Sequence, residues 1–142
     1  MASNLYNSGV LRLFNGTINY LSSTIKALVV NTGYTFNKGH NFVSDINGEV
    51  SGTGYSRLAL TGKSISLNSN ANTVTFDCDD LVYTGVTTST AWDAVITFQD
   101  SGLDSTSPLL GYLEIDTLSA NGVNIRIVVD EDGIIQVTNN IQ

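Results

Sequence analysis

The sequence predicts an all-β fold, an antiparallel β-sandwich or barrel resembling a jelly roll, with one short N-terminal α-helix. Three observations lead to this prediction. From residue 24 onward, apolar and polar residues alternate with the period of two that half-buried strands show. Nearly every gap between these segments contains Gly, Asn, Asp or Ser. No segment with helical periodicity separates the strands, so we expect antiparallel pairing within one β-rich domain over residues 1–142.

The helix is predicted in the N-terminal segment, residues 1–20. Ser3 or Asn4 can cap its start, and Gly16 can provide the left-handed residue that ends it. Gly9 lowers helix stability by about 1 kcal/mol, so packing against the core or a neighbouring subunit must support the helix. We expect the chain's own core to be the main contact. One apolar helix face is formed by residues at the expected spacing: Tyr6, Val10, Leu13 and Phe14.

The strands are predicted at short intervals, and residues 31–48 are predicted to form a long surface loop attached by Tyr34, Phe36 and Phe42. The last two strands are expected to form a hairpin, with Gly133 at positive φ. The predicted strands are 24–30, 55–60, 64–67, 73–76, 81–84, 91–98, 109–115, 125–129 and 134–138. In strand 91–98, one set of alternate residues is expected to face inward: Trp92, Ala94, Ile96 and Phe98. The predicted core is Ile25, Ala27, Val29, Leu58, Leu60, Ile65, Leu67, Val74, Phe76, Val82, Ile96, Leu110, Ile127, Val129 and Val137.

The segment LTGKS, residues 60–64, resembles the end of a phosphate-binding loop. Such a loop needs a first glycine five residues before the second, and Arg57 occupies that position. A helix should follow the loop, but SISLN alternates as a strand does. We therefore interpret Gly62 as the bend of a β-hairpin.

Other groups of reactive residues have equally simple structural interpretations. The acidic clusters around Asp79 and Glu131 lack the ligand spacing of a twelve-residue calcium loop, so we expect no metal ion. Glu114 and Asp116 would lie on one solvated strand face. The sole histidine, His40, is expected to be solvated, and Cys78 is expected to pack as a small hydrophobe. We predict no catalytic residue, no cofactor and no enzymatic activity.

Charge excludes two classes of partner. Thirteen acidic residues against six basic ones give a net charge of −7, which disfavours binding to nucleic acid and to anionic membranes. The sequence shows no apolar run long enough to span a membrane and no signal peptide. We expect a soluble protein made in a cytoplasm.

A series of segments resembles a known family when taken in order. They are NLYNSGVLRLFNGTINY, STIKALVVNTGYTFN, GEVSGTGYSRLALTGKSISL, NTVTFDCDDLVYTGV, AWDAVITFQDSG, STSPLLGYLEID and DEDGIIQVT. This order resembles a family of small structural proteins of tailed bacteriophages, and it covers nearly the whole chain. Trp92 and Asp93 stand where the family often has Arg and Gly, so any contact made by that Arg must differ here.

The resemblance implies a virion structural protein, in the first place a capsid decoration (cement) protein. Such a protein would bind the major capsid protein on the capsid exterior, and a homotrimer at threefold positions is a hypothesis. A tail component (tube, adaptor, baseplate or fibre) is the alternative. A carbohydrate-binding module is a third hypothesis, which needs an exposed platform formed by Tyr34, Tyr55, Tyr83 or Trp92. The residues proposed for an interface are Tyr6, Leu13, Phe14 and Trp92.

Overall fold

The structure, a computed structural model, describes residues 3–140. One α-helix lies near the start of the described chain, and a short 3-10 turn, Val43–Asp45, lies in the long loop. In chain order the elements are β1 (Ser3–Leu5), α1 (Asn7–Phe14), β2 (Ile25–Val30), β3 (Gly52–Thr53), β4 (Leu58–Ala59), β5 (Ser64–Asn68), β6 (Thr73–Asp77), β7 (Leu81–Thr88), β8 (Trp92–Gln99), β9 (Leu109–Leu118), β10 (Asn121–Ile127) and β11 (Ile135–Thr138).

The strands form three antiparallel sheets. The large sheet has the order β1-β9-β8-β2-β4; the β7 sheet has the order β10-β7-β3, and the β6 sheet has the order β11-β6-β5. The prediction of an all-β antiparallel sandwich with one short helix is confirmed. The sheets contain five, three and three strands, whereas a jelly roll divides eight strands between two sheets.

The main core lies between the large sheet and the two smaller sheets. Strands β2, β8 and β9 contribute buried side chains from one side, and β7, β10 and β11 contribute from the other. A second core covers the opposite face of the large sheet. There Tyr34 and Val43 of the long loop are buried, and Phe36 packs on Tyr112 with ring centroids 4.8 Å apart. The predicted attachment of the loop is confirmed for Tyr34 and Phe36, whereas Phe42 is half-buried outside this core with the Arg12 guanidinium 5.0 Å from its ring centroid.

Strand β8 is buried on both faces, which corrects the predicted alternation. Trp92 and Val95 belong to the main core, whereas Ala94, Ile96 and Phe98 belong to the second core. A register irregularity between residues 92 and 94 turns the Trp92 side chain to the face that Val95 occupies. A strand covered on both sides is apolar along its length, so alternation does not identify its inward face.

Two predicted hairpins are wrong, although their turn residues were identified correctly. Gly133 has φ +71° and Gly62 has φ +60°. The strands on either side of Gly133 pair elsewhere, because β10 pairs with β7 and β11 pairs with β6. Similarly, β4 pairs with β2 and β5 pairs with β6. A strand follows Gly62 in the structure, as predicted, where a phosphate-binding loop would require a helix.

The start of the chain also differs from the prediction. Ser3 and Asn4 lie in β1, which pairs with β9, and Tyr6 precedes the helix. Gly9 is a requirement of packing, because a Cβ there would lie 2.8 Å from the Leu110 carbonyl oxygen. Gly16 has φ +80° and ends the helix as predicted.

Four residues of the predicted core are exposed. Ile65 and Leu67 of β5, Val82 of β7 and Val137 of β11 are 43%, 69%, 56% and 36% exposed. Three of these four belong to the β6 sheet, which the chain covers only in part.

Candidate protein-binding surface

An apolar groove separates α1 from the β6 sheet. It encloses about 590 Å³ and opens to solvent between the helix and the strands. We call it the α1–β6 groove. Its lining is Leu5, Val10, Leu13, Phe14, Gly16, Ile18, Asn19, Tyr20, Ile65, Val74, Phe76 and Val137.

The helix wall is held close to the large sheet by Gly9. The missing Cβ lets the helix backbone approach the carbonyl groups of Leu109 and Leu110. Behind the helix, the backbone amide of Ile18 donates to the carbonyl of Arg12 at 3.0 Å, which returns the chain to the core. This geometry leaves Phe14 at the end of the helix and 86% exposed at the rim of the groove.

The floor of the groove is formed by aromatic residues. Tyr20 packs edge-on against Phe76 with ring centroids 5.2 Å apart, and its hydroxyl donates to the Asp77 carbonyl oxygen at 2.7 Å. Burial raises the pKa of the Tyr20 hydroxyl. Lys63 donates to the Ser23 carbonyl oxygen and lies 5.7 Å from the Tyr20 ring. These contacts connect β6 and the turn before β5 to the segment after the helix.

The sheet wall is part of a face on which two rows of apolar side chains run across the three strands. In the inner row, Ile65 pairs with Phe76 and Phe76 pairs with Ile135; in the outer row, Leu67, Val74 and Val137 are aligned in the same order. Ile135 is buried, but the rows become more exposed toward β5 and toward the strand ends. The β6 sheet thus has an apolar face that extends beyond the chain's own core.

The groove is electrically neutral, because none of its lining residues is an Asp, Glu, Lys, Arg or His. Elsewhere, several charged groups form ion pairs. Arg57 binds Glu49 at 2.7 Å and Asp104 at 2.7 Å, and these two hydrogen-bonded partners raise the pKa of its guanidinium. The Lys26 Nζ lies 2.6 Å from the Asp100 Oδ2, and this ammonium group lowers the pKa of the Asp100 carboxyl. On a chain with a net charge of −7, an uncharged groove is a distinct surface.

Two carboxylates of the acidic cluster around Asp79 accept hydrogen bonds from protein donors. Asp79 accepts from the Thr61 hydroxyl at 2.9 Å, and Asp80 accepts from the Val129 amide and from Arg126, both at 2.8 Å. The Val129 amide and then Arg126 lower the pKa of Asp80. Over residues 3–140, no group of three or more His, Cys, Asp or Glu side chains is arranged so that it could hold a metal ion. These carboxylates hold turns together.

The predicted interface residues fall into two groups. Leu13 and Phe14 line the α1–β6 groove. Tyr6 and Trp92 are 0% exposed, so the structure corrects their proposed role in an external contact. The Tyr6 hydroxyl bonds to the Tyr34 hydroxyl at 2.9 Å, and the Trp92 indole donates to the Thr88 hydroxyl at 3.0 Å.

The proposed carbohydrate platform does not form from the four aromatic residues considered. Tyr34, Tyr83 and Trp92 are buried, and Tyr55 is half-buried with its hydroxyl donating to Glu49 at 2.8 Å. Three of these rings pack together in the main core, with Tyr83 and Trp92 centroids 4.8 Å apart. An aromatic ring can stack on a sugar only where its face is exposed, so these four residues do not provide the predicted platform.

The sequence predicts a solvated His40, but in the structure this residue is half-buried and hydrogen-bonded. Its Nδ1 lies 2.9 Å from the Tyr34 hydroxyl, and that hydroxyl is also hydrogen-bonded to the Tyr6 hydroxyl. This chain of hydrogen bonds ties the long loop to the N-terminal segment. Nearby, a shallow depression of about 580 Å³ is lined by polar loop residues and by Phe36.

Cys78 packs in the main core as predicted. The side chain is 7% exposed, and burial, followed by the charge of Asp77, raises the pKa of its thiol to about 12. A thiol with this pKa is protonated at neutral pH and is a poor nucleophile.

The groove was missed because its two walls are far apart in the sequence. The alternation in SISLN correctly predicts an apolar strand face, but it does not indicate whether anything covers that face. The available signal is the composition of β5, whose other residues are Ser and Asn with no charge. A second signal was the large apolar side chain of Phe14, which stands at the last helical position, immediately before the Asn15–Gly16 helix end.

No family model, curated protein or solved structure matches the chain. Among the described residues, no helix has the length and apolar character needed to cross a membrane. The fold and the α1–β6 groove are therefore the findings on which a function can be based.

Proposed function

We propose that the protein is a structural component of a tailed-bacteriophage virion, in the first place a decoration protein that binds the outer surface of the major capsid protein lattice. The observation that carries this proposal is the neutral, apolar α1–β6 groove with Phe14 exposed at its rim. Exposed apolar surface of this kind is typical of protein-binding sites. The resemblance of the ordered sequence segments to phage structural proteins supports the choice of partner.

The distribution of charge also supports a binding role. The lining contributes no charge that would have to be desolvated, while the net charge of −7 on the rest of the chain keeps decorated particles apart. Binding to a repeated lattice would add avidity to a modest single contact.

The first test is the copy number of the chain in purified virions, measured by quantitative mass spectrometry against the major capsid protein. A ratio near one, or a simple fraction of it, supports decoration. A handful of copies per particle would assign the protein to the tail. Absence from the particle would contradict both virion roles.

The second test addresses the groove. Phe14→Ser should abolish rebinding of the purified protein to capsids that lack it, and the fold should remain intact because Phe14 is 86% exposed. Leu11→Ser is the matched control: Leu11 lies on the same helix and is 63% exposed, but it does not line the groove. Equal binding by the two variants would remove the groove from the proposal.

A further inference from the structure

We infer that β5 is a self-association edge, at which two copies of this chain pair antiparallel and join their β6 sheets into one continuous sheet. This dimer goes beyond the proposed virion role and does not depend on it. It replaces the expectation of a homotrimer, because antiparallel pairing of identical strands creates a closed twofold contact.

The first observation is that β5 is an unprotected edge. Proteins normally protect edge strands by shortness, charge, proline, bulges or a covering element. β5 is five residues long, is exposed along its whole length, and contains no charged residue and no proline. Its register with β6 is regular from Ser64 to Asn68.

The other sheet edges in residues 3–140 are protected. β1, β3 and β4 have three, two and two residues. β10 has register irregularities near Val123 and carries Arg126. β11, the opposite edge of the β6 sheet, lies against β1, where the backbone amide of Gln136 donates to the Ser3 hydroxyl at 3.4 Å. Of the sheet edges in the described chain, β5 alone is long, regular and uncharged.

The second observation is that the sequence of β5 is self-complementary. In antiparallel pairing centred on Ser66, Ile65 lies opposite Leu67 of the partner subunit and Ser64 lies opposite Asn68 of the partner subunit. Both apolar residues project from one face of the sheet, because they are two positions apart. Apolar residues therefore meet apolar ones, and polar residues meet polar ones. No like charges face each other across the pair, although each chain has a net charge of −7.

The third observation is that the apolar face of β5 adjoins the α1–β6 groove, which Ile65 lines. Ile65 and Leu67 are 43% and 69% exposed in the single chain. Twofold pairing extends both apolar rows across the partner and brings Ile65 of each copy against Leu67 of the partner subunit. A pair of five-residue strands is a small contact by the standard of stable interfaces, so we expect a reversible dimer in the micromolar range.

The test begins with the mass of the full chain in solution, measured by sedimentation velocity and light scattering from about 1 µM to about 500 µM, where an interface of this size dissociates. We expect a reversible equilibrium between one and two chains of 15.2 kDa. A protein that stays monomeric over this range, or one that forms a trimer, would overturn the inference. A monomer would leave the edge to a strand from another protein.

A charge variant tests whether β5 is the contact. Ser66→Lys places two like charges opposite each other at the twofold axis, and we expect the dissociation constant to rise about tenfold or more, with a smaller rise at high salt. Gln136→Lys is the matched control, because Gln136 and Ser66 are both exposed and pair with Thr75 from opposite sides of β6. Equal effects of the two substitutions would contradict pairing at β5.

A cysteine pair tests the register even if the charge variant folds poorly. In the proposed register, Ser66→Cys faces its own copy across the axis at a distance that a disulfide spans, whereas Ser64→Cys lies about 13 Å from its copy. Only Ser66→Cys should form a covalent dimer under mild oxidation, and the buried Cys78 should not compete. Cross-linking of Ser64→Cys at the same rate would overturn the register and the inference with it.

Discussion

In the large sheet, β8 is covered on both faces, whereas in the β6 sheet β5 is exposed along its whole length. Apolar and polar residues alternate in part of both strands, yet the Ile96 side chain is 0% exposed and the Leu67 side chain is 69% exposed. The difference arises from what lies beside them. The long loop and the smaller sheets cover β8, while the side of β5 away from β6 has no neighbouring strand in the described chain. The large sheet is therefore covered on both faces by the described chain, whereas the β6 sheet leaves apolar side chains exposed to solvent.

The largest expected effect comes from the centre of the large sheet. Trp92→Ala should lower the free energy of unfolding by about 3–5 kcal/mol, because it leaves a cavity against Tyr83 and Tyr55 in the main core. The measurement is urea unfolding followed by circular dichroism, since Trp92 is the single tryptophan and the variant has no indole fluorescence. Leu103→Ala, at a 65% exposed position, should change stability by less than about 0.5 kcal/mol. A loss below about 1 kcal/mol for Trp92→Ala would contradict the contrast between the sheets.

The second effect concerns the helix that joins the two regions. Helix propensity alone predicts that Gly9→Ala stabilises the protein by about 1 kcal/mol. The structure predicts the opposite sign, a loss of about 1–3 kcal/mol, because the new Cβ would lie within 3.0 Å of two backbone carbonyl oxygens of β9. Thermal unfolding distinguishes the two signs. Leu11→Ala on the exposed side of the same helix should be nearly neutral, and stabilisation by Gly9→Ala would show that the helix can move away from β9.

The third effect is a pH dependence that belongs to the large sheet. Arg57 lowers the pKa of Asp104, and Lys26 lowers the pKa of Asp100. A carboxyl with a lowered folded pKa stabilises the fold above its unfolded pKa of about 4, and that stabilisation is lost as the pH falls through the folded pKa. Asp104→Asn should therefore cost about 0.5–1 kcal/mol at pH 7, after allowance for screening by water, and progressively less in acid.

Urea unfolding between neutral and acid pH measures this loss. In an Arg57→Ala background, the further change Asp104→Asn should have almost no effect, because the partner that lowers the pKa has gone. An unchanged effect of Asp104→Asn in that background would contradict the proposed cause.

The sequence was sufficient where structure depends on neighbouring residues. Alternation located most strands, and Gly16 and Gly133 were correctly assigned to positive φ. Gly62 was correctly placed at a bend, and the strand after GKS was correctly distinguished from a helix. These features depend on backbone sterics and side-chain period within a few residues. Burial of Cys78 was also predicted, because a free cysteine without a reactive environment packs as a hydrophobe.

The sequence was insufficient where structure depends on distant segments. A turn at Gly133 reverses the chain, but the choice of β6 as the partner of β11 depends on packing against the whole sandwich. Likewise, the apolar face of SISLN could be identified, but its exposure depends on the absence of a strand beyond β5 in the described chain. Sheet partners and uncovered faces are properties of the assembled fold, and the candidate groove was missed for this reason.

The smallest expected effect is at Leu67, and it separates the two regions most directly. Leu110→Ala, at a 0% exposed position of β9, should cost about 2–5 kcal/mol, whereas Leu67→Ala should cost less than about 0.5 kcal/mol in the isolated chain. Both substitutions should be made in the Ser66→Lys background, so that self-association does not contribute to the measured stability. Similar losses in urea unfolding would mean that the chain itself covers Leu67, and both the exposed face of the β6 sheet and the dimer built on it would have to be abandoned. A small loss in that background, together with weaker self-association of Leu67→Ala in the otherwise unchanged protein, would show that this side chain serves the contact between copies and not the fold.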